Sequence, residues 1–383
     1  MHYYRYIISV ILACISATAI GQQHGSPYQL WYKHYTGTIG QRHVIVNLYN
    51  YCSGLPPIHL QAGGNYIPDG DKYISLWPPF NVADDNEVIL EEHSEIYNSD
   101  PASKEIAWHI HFDTHGITGI RLSKDSTISE QIYLAEDYTD AMPLAVVHDL
   151  DSTVYKMALG LTFSMHAQTI ALLPAFRDRN TADTLVFHAI ARDIGDTTAQ
   201  NANDLLARIR HNNSQLFDDY RRYMADTSET HDSTSPDNWE TCNRYTCVYN
   251  QQGLLQLEEF CYGYSGGAHG IFFYNYLCFD LLQHKLLQFA DIIQPDSSEL
   301  NRLLDIALRK LYHIPMHDAL SKYNMGPGIS VTHKIILSET GIFFCYDPYE
   351  IASYTYGQIK VFISYTALRK WLTPAFRKRM NIK

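Results

Sequence analysis

Positive charge is scarce in this chain. It carries 29 Lys and Arg against 41 Asp and Glu, a net charge of −12 over 383 residues. Binding nucleic acid needs a basic face that displaces counterions from phosphates, and this balance argues against one. A basic partner is compatible with the charge but not demanded by it. Cys-x-x-Cys pairs are absent, which removes support for a structural zinc knuckle or a thioredoxin-like redox centre. Beyond the N-terminus no apolar run approaches the roughly 20 residues that cross a bilayer as a helix. There is no internal repeat and no Pro/Gly/Ser-rich linker. What is abundant is core material: 46% of residues are hydrophobic, 13% are aromatic and 29 are tyrosine, ample for two or three folded domains.

The N-terminus reads as a secretory signal. Arg5 supplies a short positive region, Tyr6 to Ile15 is apolar, and Ala19-Ile20-Gly21 places small residues before Gln22. Residues 1–21 are therefore expected to be removed, and the mature chain to be periplasmic or extracellular. Ile11-Leu12-Ala13-Cys14 loosely resembles a lipobox, but Leu12 and the very early cysteine fit it poorly, so soluble export is preferred to a lipoprotein anchored through Cys14. Cysteines 52, 242, 247, 261, 278 and 345 follow. Their even number permits disulfides without requiring any at this size.

Hydrophobic patterning predicts an α+β fold of antiparallel sheets with a few packed helices, preceded by a β-rich N-terminal region. His43-Val-Ile-Val-Asn-Leu-Tyr49, Asn86 to Glu91 and Ile106 to Phe112 alternate with period two, as an antiparallel meander with one wet face does. Tyr155 to Ser164 reads as one continuous strand, and Ala199 to Met224 has helical spacing. Trp239 to Tyr249 and Leu254 to Tyr264 form a hairpin, and Ile271 to Leu282 is strand-like. Behind a capping box at Asp296 to Glu299, Leu300, Leu304, Leu308 and Leu311 stripe one helix face. The expected units are residues 25–141 (β-rich), 146–262 (α+β) and 263–377 (α+β).

Three patterns bear on chemistry. Gly263-Tyr264-Ser265-Gly266-Gly267 satisfies the G-x-S-x-G of a hydrolase nucleophile elbow. The elbow needs a buried strand before the serine and a helix after it, whereas here the preceding run is interleaved with charge and an aromatic strand-like run follows. The glycines are therefore expected to shape a loop, with Ser265 not a nucleophile; a secreted esterase using Ser265 is the alternative. His109, His111, Asp113 and His115 share one side of a strand as weak metal candidates, and a solvated strand face is preferred. Glu258 and Glu259 are adjacent, so on a strand they face opposite ways and cannot work as a catalytic pair. Hairpin arithmetic about Gln251-Gln252 sets Cys242 opposite Cys261, a disulfide candidate.

Several stretches taken together resemble a known family. These are Tyr264-Ser-Gly-Gly-Ala-His-Gly270, Phe279-Asp-Leu281 with Leu286 to Asp291, and Asp347-Pro-Tyr-Glu-Ile-Ala-Ser-Tyr354 with Gly357. In order and spacing, residues 260–375 look like the extracytoplasmic C-terminal domain of RsiV-like lysozyme-sensing anti-sigma factors, also found beside peptidoglycan deacetylases such as PdaC, and residues 150–260 look like its usual companion. The resemblance implies a non-catalytic, cofactor-free module of the cell envelope, with Gly266, Gly267, Ala268, His269, Tyr349 and Glu350 as family-motif residues. Its implied partner is a lysozyme-like protein or a peptidoglycan fragment, or else its role is purely structural. Neither anti-sigma nor deacetylase activity carries over, because only five residues precede the apolar segment and no deacetylase domain is fused.

Overall fold

The computed structural model describes residues 30–52, 60–78, 88–94, 105–114, 116–157, 160–175, 180–226, 237–294 and 297–382. The expected signal segment at 1–21, its alternative at Cys14, and His115 lie outside the described residues.

Eight short antiparallel strands form a closed meander barrel: β1 (Trp31–Ile39), β2 (Arg42–Cys52), β3 (Leu60–Tyr66), β4 (Ile74–Trp77), β5 (Val88–Ser94), β6 (Ile106–Phe112), β7 (Ile117–Ser123) and β8 (Ser129–Glu136), with β8 returning to pair with β1. Alternation sends Tyr35, Val46, Leu48, Leu90, Trp108, Ile110 and Ile132 inward, so side chains fill the barrel. Closure also removes the exposed edges that an open meander would leave.

A six-stranded sheet follows, built from β9 (Leu144–Lys156), β10 (Thr162–Pro174), β11 (Trp239–Gln251), β12 (Leu254–Tyr264), β13 (Ile271–Asp280) and β14 (Lys285–Leu287), in the order β14-β13-β12-β11-β10-β9. Its pairings are antiparallel except β10 with β11. That pair is parallel because two helices cross between them, α1 (Thr181–Asp193) and α2 (Ala202–Met224). Helix α1 starts at a capping box of Asn180 and Asp183 and buries Val186, Phe187 and Ile190 against Ile170, Leu172, Leu255 and Leu257 of the sheet. Patterning had found α2 but not α1.

One reading of the sequence is corrected here. Tyr155 to Ser164 is two arms of a hairpin rather than one strand, with Gly160 at φ 82° beside the turn. Cross-strand partners there sum to 318 (Tyr155 opposite Phe163), an even number, so partners share parity and the alternation runs unbroken through the turn. The expected break at 262/263 falls within β12, which pairs with β13 in the same sheet. The other expected boundary, at 141–146, spans the start of β9.

The other face of this sheet carries the C-terminal unit, which contains α3 (Phe289–Ile292), α4 (Ser297–Leu311), β15 (Ile335–Leu337), β16 (Gly341–Tyr346), β17 (Ile359–Ser364), α5 (Tyr365–Leu368) and α6 (Pro374–Arg379). Leu300, Leu304 and Leu308 of α4 share one buried cluster with Ile335, Phe344 and Val361 of the small sheet and with Tyr249, Leu254 and Cys278 of the large one. A polar seam joins the barrel to the large sheet, where Asn250 Nδ2 donates to Tyr32 Oη at 3.1 Å and Asn65 Nδ2 donates to the Cys247 carbonyl at 2.8 Å.

Candidate functional site

The loop from Ser265 to Gly270 joins β12 to β13. Gly266 and Gly267 hold φ of 103° and 95°, which side-chain-bearing residues rarely adopt, and the Tyr264 hydroxyl closes the turn on the Gly267 carbonyl at 3.0 Å. These constraints carry His269 back over the sheet. Its Nδ1 donates to the Gly270 carbonyl at 2.8 Å, and its Nε2 lies 3.3 Å from the Tyr349 hydroxyl. Its ring lies on Tyr354, with centroids 4.0 Å apart and planes 21° apart.

Tyr349 and Tyr354 belong to the segment that leaves β16. Asp347, whose side chain is 6% exposed, anchors that segment to β13. The carboxylate accepts from the Tyr274 backbone N–H at 3.3 and 3.2 Å and from Gln358 Nε2 at 3.2 Å, and it pairs with Lys334. Glu350 accepts from the Asp347 N–H at 3.2 Å and lies 3.4 Å from Lys334 Nζ. Burial alone would lower the Lys334 pKa; the bonds and charge of Asp347, with Glu350, outweigh it and hold the ammonium above its usual value. Tyr349 follows at φ 70° with 62% of its surface exposed.

Below His269 lies a row of half-buried rings. Tyr262 of β12 pairs with Phe272 of β13, and Phe260 with Tyr274, so period-two alternation puts all four on one face of the sheet. Ring centroids lie 5.2 Å apart for Phe260 and Tyr274, and 5.4 Å apart for Phe272 and Tyr354. The row therefore continues from the sheet into the Tyr349–Tyr354 segment. Arg244 of β11, opposite Phe260, extends it to Trp77 at the rim of the barrel.

Among the residues singled out from sequence, the structure brings Gly266, Gly267, Ala268, His269, Tyr349 and Glu350 to this one place. Ser265 is exposed on the loop, and a strand follows instead of the helix an elbow needs. His109 and His111 alternate with the barrel-filling Trp108 and Ile110 and so lie on the outer face, with Asp113 exposed beyond the strand end. Among the described residues, no three His, Cys, Asp or Glu side chains are placed to share a metal. Glu258 and Glu259 diverge as expected: the first meets Tyr276 and Lys360, the second Asn275 and Tyr245. The Cys242–Cys261 pairing is corrected. The two-residue loop is Gln252-Gly253 rather than Gln251-Gln252, and a bulge between Cys247 and Tyr249 shifts the register again. Cys242 therefore faces Tyr262, Cys261 faces Asn243, and both thiols are free. Sequence reasoning passed over Phe260, Tyr262, Phe272, Tyr274, Lys334 and Arg244, although the two aromatic-x-aromatic pairs were a legible period-two signal.

Fold and site together define an α+β protein with an aromatic surface assembled from two remote segments. Residues 290–366 match the family described as "Protein of unknown function (DUF3298)", a span that holds Tyr349, Glu350 and Tyr354 but not the glycine loop. A crystal structure of a DUF3298 family member from Bacteroides fragilis NCTC 9343 superposes with a TM-score of 0.53 at 18% identity, over 64% of this chain and 100% of that one. The likeness shows a shared fold. A DUF3298 family protein from Pseudomonas aeruginosa PAO1 matches at TM-score 0.40 and 21% identity, over 61% of this chain and 96% of that one. No curated protein matches.

The loop geometry carries a prediction. A Cβ on Gly267 would meet nothing within 4 Å, so strain there comes from the backbone alone. Gly267→Val should cost about 1–3 kcal/mol, read as a lower urea midpoint, while Ser265→Ala should leave the midpoint unchanged. An unchanged midpoint for Gly267→Val would refute the strained-loop account.

Proposed function

We propose that this protein is an exported, non-catalytic binding module of the cell envelope, and that the surface around His269, Tyr349, Tyr354 and Phe272 holds a cell-wall fragment. The carrying observation is the row of partly exposed rings whose upper end is fixed by the His269–Tyr349 and His269–Tyr354 contacts. Aromatic faces take up the apolar face of a sugar ring with little loss of side-chain entropy, since each has only two rotatable bonds. The resemblance to RsiV-like envelope domains supports the same reading and adds a second one, a lysozyme-like enzyme as partner. The net charge of −12 favours that partner by steering a cationic protein inward.

The test is calorimetric titration of the full chain with muropeptides and, separately, with lysozyme. Tyr349→Ala and His269→Ala should each weaken muropeptide binding about tenfold or more, equivalent to at least ~1.4 kcal/mol, and Ser265→Ala should not. Lysozyme binding without muropeptide binding selects the second reading. Labelling of Ser265 by a fluorophosphonate would overturn both in favour of an esterase.

A further inference from the structure

Arg244 is an unusual cation for its surroundings. Its guanidinium carbon lies over the Phe260 ring of the large sheet and over the Trp77 ring of the barrel, 5.0 and 5.6 Å from their centroids. Its Nε is shut off from solvent and has no hydrogen-bond partner. No carboxylate pairs with it among the described residues. Glu258, the acidic group whose charge it feels, is taken up by the Tyr276 hydroxyl at 3.0 Å and by Lys360 Nζ at 3.9 Å. Its remaining neighbours in the electrostatic sense are neutral, the phenols of Tyr49 and Tyr274 and the thiol of Cys242.

Arg121, in the barrel, shows what an arginine in this fold has when its needs are met. Its Nε and a terminal nitrogen grip Glu92 at 2.7 and 2.9 Å, and its other terminal nitrogen holds Glu130 at 2.7 Å. Arg244 has two aromatic faces and no anion. A cation over aromatic rings is stabilised by their faces, but the rings accept none of its in-plane N–H donors, the groups that grip a carboxylate or phosphate in bidentate geometry. Arg244 is half-buried as a residue, and its terminal nitrogens, unlike Nε, are not shut off from solvent, so a ligand would meet the guanidinium end-on.

We propose that Arg244 is the anion anchor of the aromatic site and that the site takes an acidic saccharide, its carboxylate on the guanidinium and its ring on the Phe260, Tyr262 and Phe272 face. This rests on the cell-wall reading of the same surface and specifies the ligand it takes. The geometry assigns the two halves of the ligand to different parts of the protein: the charge to β11, the sugar face to the β12–β13 pair. A purely structural clamp between barrel and sheet would need the two rings but no open donor.

The test compares N-acetylmuramic acid, which carries a carboxylate, with neutral N-acetylglucosamine on the full chain. The acidic sugar should bind at least tenfold tighter, and the difference should shrink as salt rises. Arg244→Gln should abolish the difference between the two sugars, and Arg244→Lys should keep only part of it. Free glucuronic acid should compete and inorganic phosphate should compete more weakly, which separates a carboxylated sugar from a bare anion. Equal affinity for the two sugars, or an intact preference in Arg244→Gln, overturns the anchor while leaving the aromatic surface standing. Binding of neither sugar overturns it together with the cell-wall reading. Should Arg244→Gln fail to fold, guanidinium titration by nitrogen NMR in wild type gives the same answer, because the acidic sugar alone should shift the Arg244 Nε–H signal.

Discussion

Asp347→Ala should destabilise the protein by about 3–5 kcal/mol and dismantle the aromatic site, because the change strips partners from a buried pair instead of deleting the pair. The carboxylate satisfies the Tyr274 N–H, the Gln358 amide and Lys334 together. Without it a half-buried ammonium is left with only Glu350 at 3.4 Å, and a backbone N–H facing the segment loses its acceptor. Because Asp347 begins the segment that carries Tyr349 and Tyr354, the proposed muropeptide binding should fall with stability. Lys334→Met added to Asp347→Ala should recover part of the loss, since removing both charges relieves the unpaired one. Urea denaturation of the single and double variants decides it. A single-variant loss below about 1 kcal/mol, the range of an exposed ion pair, would mean that the contact is incidental.

Glu92→Ala should cost a similar ~3–5 kcal/mol, felt in the barrel. Glu92 points inward from β5 with a side chain 6% exposed. It accepts both prongs of Arg121, the Tyr66 hydroxyl at 2.5 Å and the Trp108 indole N–H at 2.7 Å. Its removal leaves three donor side chains facing the barrel interior, one of them charged, with Glu130 as the remaining carboxylate on Arg121. Both the urea midpoint and the fluorescence of the buried Trp108 should report the change, whereas the exposed pair Lys124–Glu105 should be removable without measurable loss. If Glu92→Ala and Glu105→Ala behave alike, the barrel is not held by this cluster.

How much was legible in the sequence differs between these two sites. The glycine loop and the Asp347–Tyr354 segment stand out as unusual strings in the sequence, but their 80-residue separation hides that His269 touches Tyr349. The barrel network left no such trace. Glu92, Arg121 and Glu130 share parity with Leu90, Ile117 and Ile132, so each interrupts the apolar face of its strand, and only the curling of the sheet into a barrel brings Glu92 of β5 to Arg121 of β7 across β6.

Local properties of the chain fixed what needs only local physics. Alternation of apolar and polar residues determined where strands form, the α4 stripe determined a helix and its buried face, and the positive-φ glycines determined the loop at Gly266 and Gly267. Tertiary structure decided everything that depends on register, because one displaced residue reverses the facing of a strand. The bulge between Cys247 and Tyr249 and the Gln252-Gly253 turn separated Cys242 from Cys261. The α1–α2 crossover made β10 and β11 parallel neighbours, and β11 then presented Arg244 to Phe260. Packing of the barrel against that sheet brought Trp77 to the same guanidinium. Composition can supply an arginine and its rings, but only the long-range closure of strands places a charge against them with its donors unspent.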